Sequence, residues 1–528
     1  MKKILILFVL SFHLLTSAFA QHSPVTPAVP YEVRAVWLTT LMGLDWPHCP
    51  AQTPAQVERQ KQDVCHILDR LQAVGINTVL FQTRIRATTS YPSAIEPWDG
   101  IYTGTPGKAP GYDPLKFVLD ECHKRKMECH AWVVAFPVCK AKVARQLGKQ
   151  ALPHKRPDLC QLCGDQWMMD PGVPGTADYL ASICTEIVKY YEVDGIHLDY
   201  IRYPEKGIRF NDNKTYRRYG KGRNKAAWRR ANVDRCVKTV HDAVKAVRPW
   251  VKLSCSPVGK YSDLARQSSY GWNARDAVYQ DAQKWLREGW MDMLFPMMYF
   301  DGKHYYPFLM DWTENDCGKP VVPGLGIYFL NPKERNWPLL TVQRQMNVAR
   351  TAQAGGTAHF RTKFLLNNEK GLYDWLRTDF YKQPALVPPM TWCDSIPPTA
   401  PEVTQTFRRH TLQLSWKPVS DTTPVTYNVY RLDSVYGDRL LAHHLGLRYG
   451  HLSIPQSFSR LRTSRTSLLY FAPLRPGQPT PGFRYLQVSF WIKFRWSRNF
   501  YRVCIDYAFR PCLSSRLTLG GRTFPKKP

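Results

Sequence analysis

The sequence predicts an α/β protein whose main domain, residues 30–381, is a (β/α)8 TIM barrel, followed by a C-terminal β-sandwich-like segment. Apolar runs of strand length alternate eight times with amphipathic helical stretches between residues 32 and 380. Such alternation requires parallel strands joined by helical crossovers, and eight units in a row are typical of a closed barrel. No glycine-rich phosphate-binding turn follows the first run, which disfavours a doubly wound open sheet.

The periodicity of the apolar residues gives the elements of this barrel in order. The strands are predicted over residues 32–40, 78–84, 128–134, 195–203, 252–258, 291–300, 320–328 and 356–362. The helices are predicted near residues 55–74, 114–126, 177–192, 228–247, 276–288, 305–316, 338–353 and 369–381.

Residues 1–20 have the pattern of a secretory signal peptide. Lys2 precedes an apolar run over residues 4–15, and Ala18 and Ala20 provide a small-residue cleavage site. No later apolar run reaches the ~18 residues of a membrane span. We therefore expect a secreted or periplasmic protein without a membrane span.

The region behind the barrel divides into three parts. Residues 382–400 are rich in proline and are predicted to be a linker. Residues 401–446 alternate like paired antiparallel strands, and Trp416 occupies the place of a buried core ring. This part resembles the opening of a fibronectin type III sandwich, a candidate module for association with the cell envelope. Residues 447–528 form a basic tail of doubtful fold, for which a shifted reading frame is one hypothesis.

The net charge of +30 is distributed unevenly along the chain. Residues 448–528 hold fifteen Lys and Arg against one acid, and residues 202–252 hold sixteen against four. The second group follows the fourth predicted strand and is expected to border that strand's end, where it would attract an anionic ligand. A solvated basic loop is the alternative. The export signal and the barrel both count against a nucleic-acid partner.

The end of the fourth predicted strand carries the first candidate for catalysis. Ile196 and Leu198 are apolar, while His197 and Asp199 share the opposite phase of a period-two pattern. A carboxylate at the C-terminal end of a barrel strand lies at the mouth, where barrel enzymes carry out their chemistry. A structural pair between Asp199 and Arg202 is the alternative.

Polar and aromatic residues recur at the ends of the other predicted strands as well. They include Asp45, Trp46, Gln82, Arg84, Arg86, Trp132, Tyr299, Asp301 and Arg361. Polar groups cost free energy to bury unless they are paired, so their recurrence indicates a wet, functional barrel mouth.

Several segments, taken in order, resemble a known family. They are residues 32–40, 43–47, 77–84, 91–93, 96–98, 110–115, 130–132, 194–204 and 256–259. These segments are similar to the glycosyl-hydrolase-like family 10, which includes divisome-associated glycan hydrolases of bacteria. The resemblance implies a secreted glycoside hydrolase that acts on a cell-wall glycan, with peptide-free peptidoglycan strands as the expected substrate.

Two departures from the family pattern concern the catalytic acids. Many relatives carry two successive acids at the end of strand four, where this chain has Tyr200 after Asp199. The seventh predicted strand also lacks the glutamate that many barrel glycosidases use as nucleophile. A second carboxyl group must therefore come from elsewhere.

Glycoside hydrolysis requires one protonated carboxyl group and one ionised group that acts as nucleophile or as base for water. We assign Asp199 as the ionised member, because Arg202 and Arg84 are expected to lower its pKa. Asp301 is assigned as the acid. The alternatives to these two are Asp45, Glu96 and Asp170.

The remaining candidates are assigned to an anionic polysaccharide substrate, because aromatic rings support sugar faces and arginines bind carboxylates. The predicted substrate-binding residues are Asp45, Trp46, Gln82, Arg84, Arg86, Trp98, Trp132, His197, Arg202, Tyr299 and Arg361. We expect neither a cofactor nor a metal, since His130, His197 and His359 are typical of hydrogen-bonded core histidines. A glycan-binding protein without turnover is the second hypothesis, and it predicts no second carboxyl group near Asp199.

Overall fold

The computed structural model describes residues 29, 31–205 and 207–393, together with the backbone of eight strands between residues 403 and 502. The predicted signal peptide, residues 1–20, lies outside the described residues, as do residues 394–400 of the predicted linker. Among the helices that the structure does describe, none combines the length and the apolar character needed to cross a bilayer.

Eight parallel strands form the centre of the molecule. The strands up to residue 393 are β1 (Val33–Leu38), β2 (Thr78–Arg84), β3 (Glu128–Val134), β4 (Pro137–Lys140), β5 (Cys160–Cys163), β6 (Gln166–Met169), β7 (Gly195–Asp199), β8 (Lys252–Cys255), β9 (Met293–Leu294), β10 (Gly324–Leu325) and β11 (Gly356–His359). Eight of them are neighbours in the order β10–β11–β1–β2–β3–β7–β8–β9. Parallel bridges from Leu294 to Val321 and from Met297 to Gly324 join the two ends of this order. The sheet therefore closes, and the predicted (β/α)8 fold is confirmed.

Helices lie between these strands along the chain, and the longer ones pack their buried residues into the core around the barrel. They are α1 (Pro54–Ala73), α2 (Pro114–Lys124), α3 (Ala141–Leu147), α4 (Leu152–Lys155), α5 (Gly175–Tyr190), α6 (Asn213–Tyr219), α7 (Lys225–Val247), α8 (Ala274–Ala277), α9 (Ala282–Arg287), α10 (Tyr306–Glu314), α11 (Leu339–Thr351), α12 (Thr362–Leu366) and α13 (Leu372–Trp375). In α1 the buried residues Val64, Leu68 and Leu71 recur at helical spacing. Thr53 and Gln56 form a capping box that begins this helix.

Strands β9 and β10 are much shorter than the predicted strands over residues 291–300 and 320–328. Pro296, Pro320 and Pro323 lie in these segments and have no backbone N–H to donate to a ladder. Isolated bridges continue the pairing around the prolines instead. The two segments still occupy strand positions in the barrel, although only two residues of each are regular strand.

An insertion follows β3 that the sequence analysis does not predict. Strands β4, β5 and β6 form a small antiparallel sheet in the order β4–β6–β5. Along the chain, α3 and α4 lie between β4 and β5. Met169 N–H donates to the Phe136 carbonyl at 2.8 Å, which ties this sheet to the end of β3. Four-residue strands carry too little alternation for periodicity to reveal them.

The barrel interior combines an apolar cluster with polar layers. Trp37, Trp132 and Phe295 belong to this inner cluster. At the N-terminal end of the interior, Glu128 Oε1 accepts a hydrogen bond from Lys252 Nζ at 2.6 Å. Glu128 Oε2 lies 3.0 Å from His130 Nε2. Glu128 therefore pairs with both Lys252 and His130, which lowers the cost of burying them, while His130 Nδ1 is left without a hydrogen-bond partner.

The strands beyond residue 400 pair in antiparallel sheets. They are β12 (Val403–Arg408), β13 (Thr411–Trp416), β14 (Thr426–Leu432), β15 (Arg439–Leu445), β16 (His451–Pro455), β17 (Leu468–Leu474), β18 (Trp491–Ile492) and β19 (Tyr501–Arg502). Two sheets have three strands each, β12–β13–β16 and β15–β14–β17, and β18 pairs with β19. The likeness of residues 401–446 to a fibronectin type III domain stays a prediction, and the side chains there, including Trp416, lie outside the described residues.

Gly195 begins β7, the strand that ends at Asp199, and leaves room for His130. A Cβ atom at Gly195 would lie 2.6 Å from His130 Nδ1, closer than van der Waals contact allows. We expect Gly195→Ala to lower the free energy of unfolding by about 1–3 kcal/mol, because a packed core cannot absorb the added methyl group. Urea denaturation of the single variants and of Gly195→Ala with His130→Ala measures this. The double variant should lose less than the sum of the two single losses, and simple additivity would contradict the proposed clash.

Candidate active site

Asp199 ends β7 and lies between β3 and β8 at the C-terminal end of the barrel. Its Oδ1 atom accepts hydrogen bonds from Ser256 Oγ and from the Tyr200 backbone N–H, both at 2.8 Å. Its Oδ2 atom accepts one from Trp132 Nε1 at 3.1 Å. Three donors thus orient a carboxyl group that is almost entirely buried.

Tyr200 adopts the left-handed backbone conformation, with a φ of 50°. This region is uncommon for residues other than glycine, and such residues cluster at functional sites. The turn directs the Tyr200 N–H to Asp199 and leaves the Tyr200 side chain exposed. The strand therefore ends with a fixed acid and an aromatic ring that is open to solvent.

Burial raises the pKa of Asp199 above its ordinary value. The hydrogen bond from Ser256 and the charge of Arg202 lower the pKa, but they do not offset the desolvation. The charge of Arg202 thus lowers the pKa of Asp199 as the sequence analysis expects, but the net shift is upward, because the loss of water outweighs the nearby charge. A carboxyl group that keeps its proton to higher pH is suited to act as a general acid.

Asp301 lies in a different environment from Asp199. It is exposed, precedes the short 3-10 turn Gly302–His304, and accepts a hydrogen bond from the Gly302 N–H at 2.6 Å. No hydrogen bond joins it to Asp199 in the part of the chain that the structure describes. Water solvates an exposed carboxylate, which suits an ionised group. The environments therefore favour the reverse of the roles that the sequence analysis assigns to these two residues.

Arg84 forms a fully buried ion pair with Glu96. Its Nε and Nη2 atoms donate to Glu96 Oε2 and Oε1 at 2.8 and 2.7 Å. Its Nη1 atom donates to the carbonyls of Val134 and Ala135, and Tyr179 donates to Glu96 at 2.9 Å. The predicted substrate contact Arg84 and the alternative acid Glu96 are thus occupied by each other. They hold the ends of β2 and β3 in place below the mouth.

Asp45 and Arg361 form a second buried ion pair, which joins the loop after β1 to the end of β11. Arg361 Nη1 donates to Asp45 Oδ1 at 2.5 Å, and the Thr39 N–H donates to Asp45 Oδ2 at 3.0 Å. Gln82 Oε1 holds the same loop by accepting from the Leu41 N–H at 2.8 Å. Three predicted substrate contacts, Asp45, Gln82 and Arg361, therefore act together as framework.

Trp46 is part of the hydrophobic core between the barrel and α1. The ring is fully buried, its Nε1 atom donates to the Gln60 carbonyl at 2.8 Å, and it packs against Phe81 and Tyr102. No face of this ring is available to a sugar, so we drop Trp46 from the predicted platforms. Nothing in the sequence around Trp46, including the neighbouring Pro47, indicated that the ring is buried in the core.

His197 lies in the barrel interior, one layer below Asp199. Its Nε2 atom accepts a hydrogen bond from Trp37 Nε1 at 3.3 Å, so Nδ1 carries the proton and donates to Ser254 Oγ at 3.0 Å. Burial lowers the pKa of His197 well below its usual value, which keeps the ring neutral. The predicted substrate contact His197 therefore supports β7 from beneath. His359 is likewise buried, with Tyr381 as its partner.

Aromatic rings lie on the side of Asp199 where β9, β10 and β11 end. Tyr299 is half-buried, and burial together with the Asp199 charge raises the pKa of its hydroxyl well above the usual value. Its ring packs against Phe360 and Tyr328, with centroids 5.3 and 5.9 Å away. Trp98 is half-buried in the loop after β2. The rings of Tyr299, Tyr328 and Phe360 form one continuous apolar wall.

The positive charges of two arginines, Arg202 and Arg86, lie near the exposed side chain of Tyr200. The Arg202 guanidinium lies 4.7 Å from the centroid of Tyr200 and 5.5 Å from that of Trp272. Partial burial of Tyr200 raises the pKa of its hydroxyl and the charge of Asp199 adds to the shift, while Arg202 and Arg86 oppose it. Arg86 is half-buried and makes no salt bridge within the described residues. Arg202 thus acts on Asp199 itself, and Arg86 acts on the neighbouring Tyr200.

Ser256, Tyr200 and Trp272 belong to the site but are not among the predicted site residues. Ser256 shares the alternating phase of Ser254 at the end of the fifth predicted strand, so the period-two pattern contained a signal for it. Tyr200 directly follows Asp199, but its left-handed conformation cannot be inferred from a tyrosine. Trp272 lies in the loop after β8, and only the path of that loop places it beside Arg202.

The closed barrel with a buried acid at its mouth defines a (β/α)8 protein of the kind that includes glycoside hydrolases. A family model described as glycosyl hydrolase-like 10 matches residues 32–324. The chain belongs to this family, so the family resemblance of the sequence is confirmed.

Two relatives, each 34% identical to this chain, agree with this assignment. The chain is 34% identical over 440 residues to glycosyl hydrolase YngK of Bacillus subtilis (strain 168), which covers 78% of this chain and 85% of YngK. It is 34% identical over 370 residues to glycosyl hydrolase DigH of Escherichia coli (strain K12), which covers 63% of this chain and 83% of DigH. Among solved structures, the PgaB (BpsB) glycoside hydrolase domain from Bordetella bronchiseptica matches with a TM-score of 0.43 and 12% identity, over 66% of this chain and 98% of that chain.

Arg84 is expected to matter for stability because its loss leaves Glu96 buried without a cation. We expect Arg84→Met to lower the free energy of unfolding by about 3–5 kcal/mol, as for other broken buried pairs. Urea denaturation measures this loss. Arg86→Met is the matched control, since Arg86 has no salt bridge to lose, and it should change stability by no more than about 0.5 kcal/mol. Equal losses in the two variants would contradict the framework role of Arg84.

Proposed function

We propose that this protein is an exported glycoside hydrolase that cleaves a bacterial cell-wall glycan, with peptide-free peptidoglycan strands as the substrate. The observation that carries the proposal is Asp199, a carboxyl group with a raised pKa that is held by three hydrogen bonds at the mouth of the barrel. The names of YngK and DigH, both glycosyl hydrolases, support the same class of reaction. The pattern of residues 1–20 supports export.

Asp199 is the general acid in this proposal. Its carboxyl group gives a proton to the glycosidic oxygen as the bond to the sugar breaks, and Ser256, Trp132 and the Tyr200 N–H then stabilise the carboxylate that forms. These donors lie in place before the reaction, so the ionised product needs no rearrangement of the protein. The same three contacts fix the direction in which the proton leaves.

Asp301 is the proposed ionised partner. Its carboxylate is exposed at the end of the β9 segment, next to the wall that Tyr299 begins. An ionised carboxylate there would act as nucleophile or as base for a water molecule. Asp45 and Glu96 are weaker candidates, because each is already bound to a buried arginine.

The mouth also offers the contacts that a glycan chain needs. Tyr299 and Trp98 present half-buried rings for sugar faces, while Arg86 and Arg202 supply positive charge for an acidic glycan. The role of Trp132 is to donate a hydrogen bond to Asp199, and we no longer assign it to a sugar contact.

A glycan-binding protein without turnover is the second candidate function. The observation that favours it is that two of the other candidate acids, Asp45 and Glu96, are each held in an ion pair with a buried arginine and are not free to act as the second carboxyl group. In that case the mouth would hold the glycan and the C-terminal strands would serve association with the cell envelope.

The role of Asp199 as acid predicts a dependence on the leaving group. Asp199→Asn should lower kcat on peptide-free glycan strands by about 100-fold or more, since proton donation to a poor leaving group is lost. An aryl glycoside whose phenol leaves without a proton should be affected much less. Product analysis by chromatography and aryl release by absorbance measure the two rates.

Asp170→Asn is the matched control, because Asp170 is also a buried aspartate with a pKa raised by burial but bonds to Gly172 and Thr215. It should show no such dependence on the leaving group. Equal losses on both substrates in Asp199→Asn would assign the acid elsewhere. Wild-type protein that binds glycan strands and releases no product would favour the binding protein.

The pH dependence gives a separate test of the acid. A general acid must be protonated, so kcat/KM should fall as pH rises through the raised pKa of Asp199. Ser256 stabilises the ionised form, so Ser256→Ala should raise that pKa further and move the alkaline limb to higher pH by about 0.5–1 unit. Ser254→Ala is the control, because Ser254 bonds to His197 and not to Asp199. A shift to lower pH in Ser256→Ala would contradict this role.

A further inference from the structure

Arg202 is a buried arginine whose hydrogen-bonding capacity the protein does not use. Its side chain is 4% exposed, and its salt-bridge partner in the described chain is Glu205, with Nη2 and Oε1 3.0 Å apart. Its Nε atom is buried and has no hydrogen-bond partner. Buried guanidinium groups normally have their donors satisfied, since an unpaired polar atom costs free energy. The side chain therefore has donors to spare beside Asp199.

Two exposed aromatic rings flank this guanidinium. Tyr200 and Trp272 come from the loops after β7 and β8, and they are 41% and 38% exposed. Each ring lies within cation–π distance of Arg202, at 4.7 and 5.5 Å. Exposed rings next to a fixed cation combine a surface for a sugar face with a group that binds an anion.

A second cation strengthens the positive field at this place. Arg86 is half-buried without a salt bridge within the described residues, and its charge acts on the hydroxyl of Tyr200. The sixteen Lys and Arg of residues 202–252 do not all gather at this place, because the helix α7 carries the chain to the opposite end of the barrel, where Lys252 pairs with Glu128. Fields of this kind raise the local concentration of an anionic ligand.

The ion pair between Glu205 and Arg202 is a weak one. Its side chain is 50% exposed, whereas that of Arg202 is 4% exposed. Water solvates such a half-exposed carboxylate well, so the pair is easily exchanged for another carboxylate of better geometry. Glu205 thus stands where the carboxylate of a ligand would bind.

We infer that Arg202, Tyr200 and Trp272 form a subsite for a sugar that carries a carboxylate, next to the bond that Asp199 cleaves. The inference rests on the proposed function and names the feature of the substrate that the site selects. The ligand carboxylate displaces Glu205 and accepts hydrogen bonds from the guanidinium, while the sugar face lies on an aromatic ring. A lactyl ether on an amino sugar and the carboxylate of a uronic acid share this chemistry.

Binding to the inactive variant Asp199→Asn separates the inference from catalysis. The probes are peptide-free fragments of alternating N-acetylglucosamine and N-acetylmuramic acid, the same fragments with the carboxyl groups reduced to alcohols, and a polyuronate oligosaccharide. Calorimetry should show about tenfold weaker binding of the reduced fragments, since a charge-assisted pair to a buried cation is lost. Adding Arg202→Gln should make the native and reduced fragments bind alike.

The outcomes distinguish the two proposals. Equal affinity for native and reduced fragments in Asp199→Asn overturns the subsite and leaves the hydrolase proposal standing. A clear preference for the native fragments, in a protein whose wild type releases no product, supports the subsite and contradicts the hydrolase. Tighter binding of the polyuronate than of the muramic fragments supports the subsite and assigns its sugar to the uronic acids.

Glu205→Gln tests the same subsite by a change that should strengthen binding, and it keeps the buried Arg202. Removing the competing carboxylate should tighten binding of the native fragments about threefold and should not change binding of the reduced fragments. Glu314→Gln is the matched control, because it removes a similarly exposed carboxylate from Arg266. Weaker or unchanged binding of the native fragments by Glu205→Gln would contradict the proposal that a ligand carboxylate displaces Glu205 from Arg202.

Discussion

The site depends on one carboxyl group that is kept in a nearly dry place by the barrel itself. Asp199 lies inside the ring of strands, where Trp132 comes from β3 and Ser256 follows β8, so two neighbouring strands supply donors to its two oxygens. The left-handed turn at Tyr200 supplies a third donor. Burial favours the proton and the donors favour the anion, and the balance between them raises the pKa. Proton donation in the proposed reaction follows from this balance.

Charged residues near the mouth fall into two groups with different tasks. Arg84 with Glu96 and Arg361 with Asp45 are buried pairs that tie the ends of β2, β3 and β11 to their loops. Such pairs contribute geometry more than stability, because desolvation offsets much of their attraction. Arg86 and Arg202 are the second group, with donors or charge left over. In the proposed function, that difference separates the residues that hold the mouth from those that bind an acidic glycan.

Much of the fold could be predicted from the sequence, and less of the site. The alternation of β7 placed Asp199 and His197 inside the barrel, and the number of strand and helix units indicated closure. Periodicity did not reveal the β4–β6 sheet or the shortening of β9 and β10 by prolines. It also could not separate Trp46, a core ring, from Trp272, which is exposed at the mouth, because both are tryptophans in loops that follow strands.

By itself the sequence determined the eightfold alternation, the polar ends of the strands and the family to which the chain belongs. Only the tertiary structure decided which of those polar residues are free to act. Pairing and burial are properties of space: Arg84 is charged in any chain, but contact with Glu96 makes it framework. Likewise, in the sequence Asp199 cannot be distinguished from an ordinary carboxylate. Its pKa is raised because the surrounding strands exclude water, and this local solvation depends on the fold and not on the residue type.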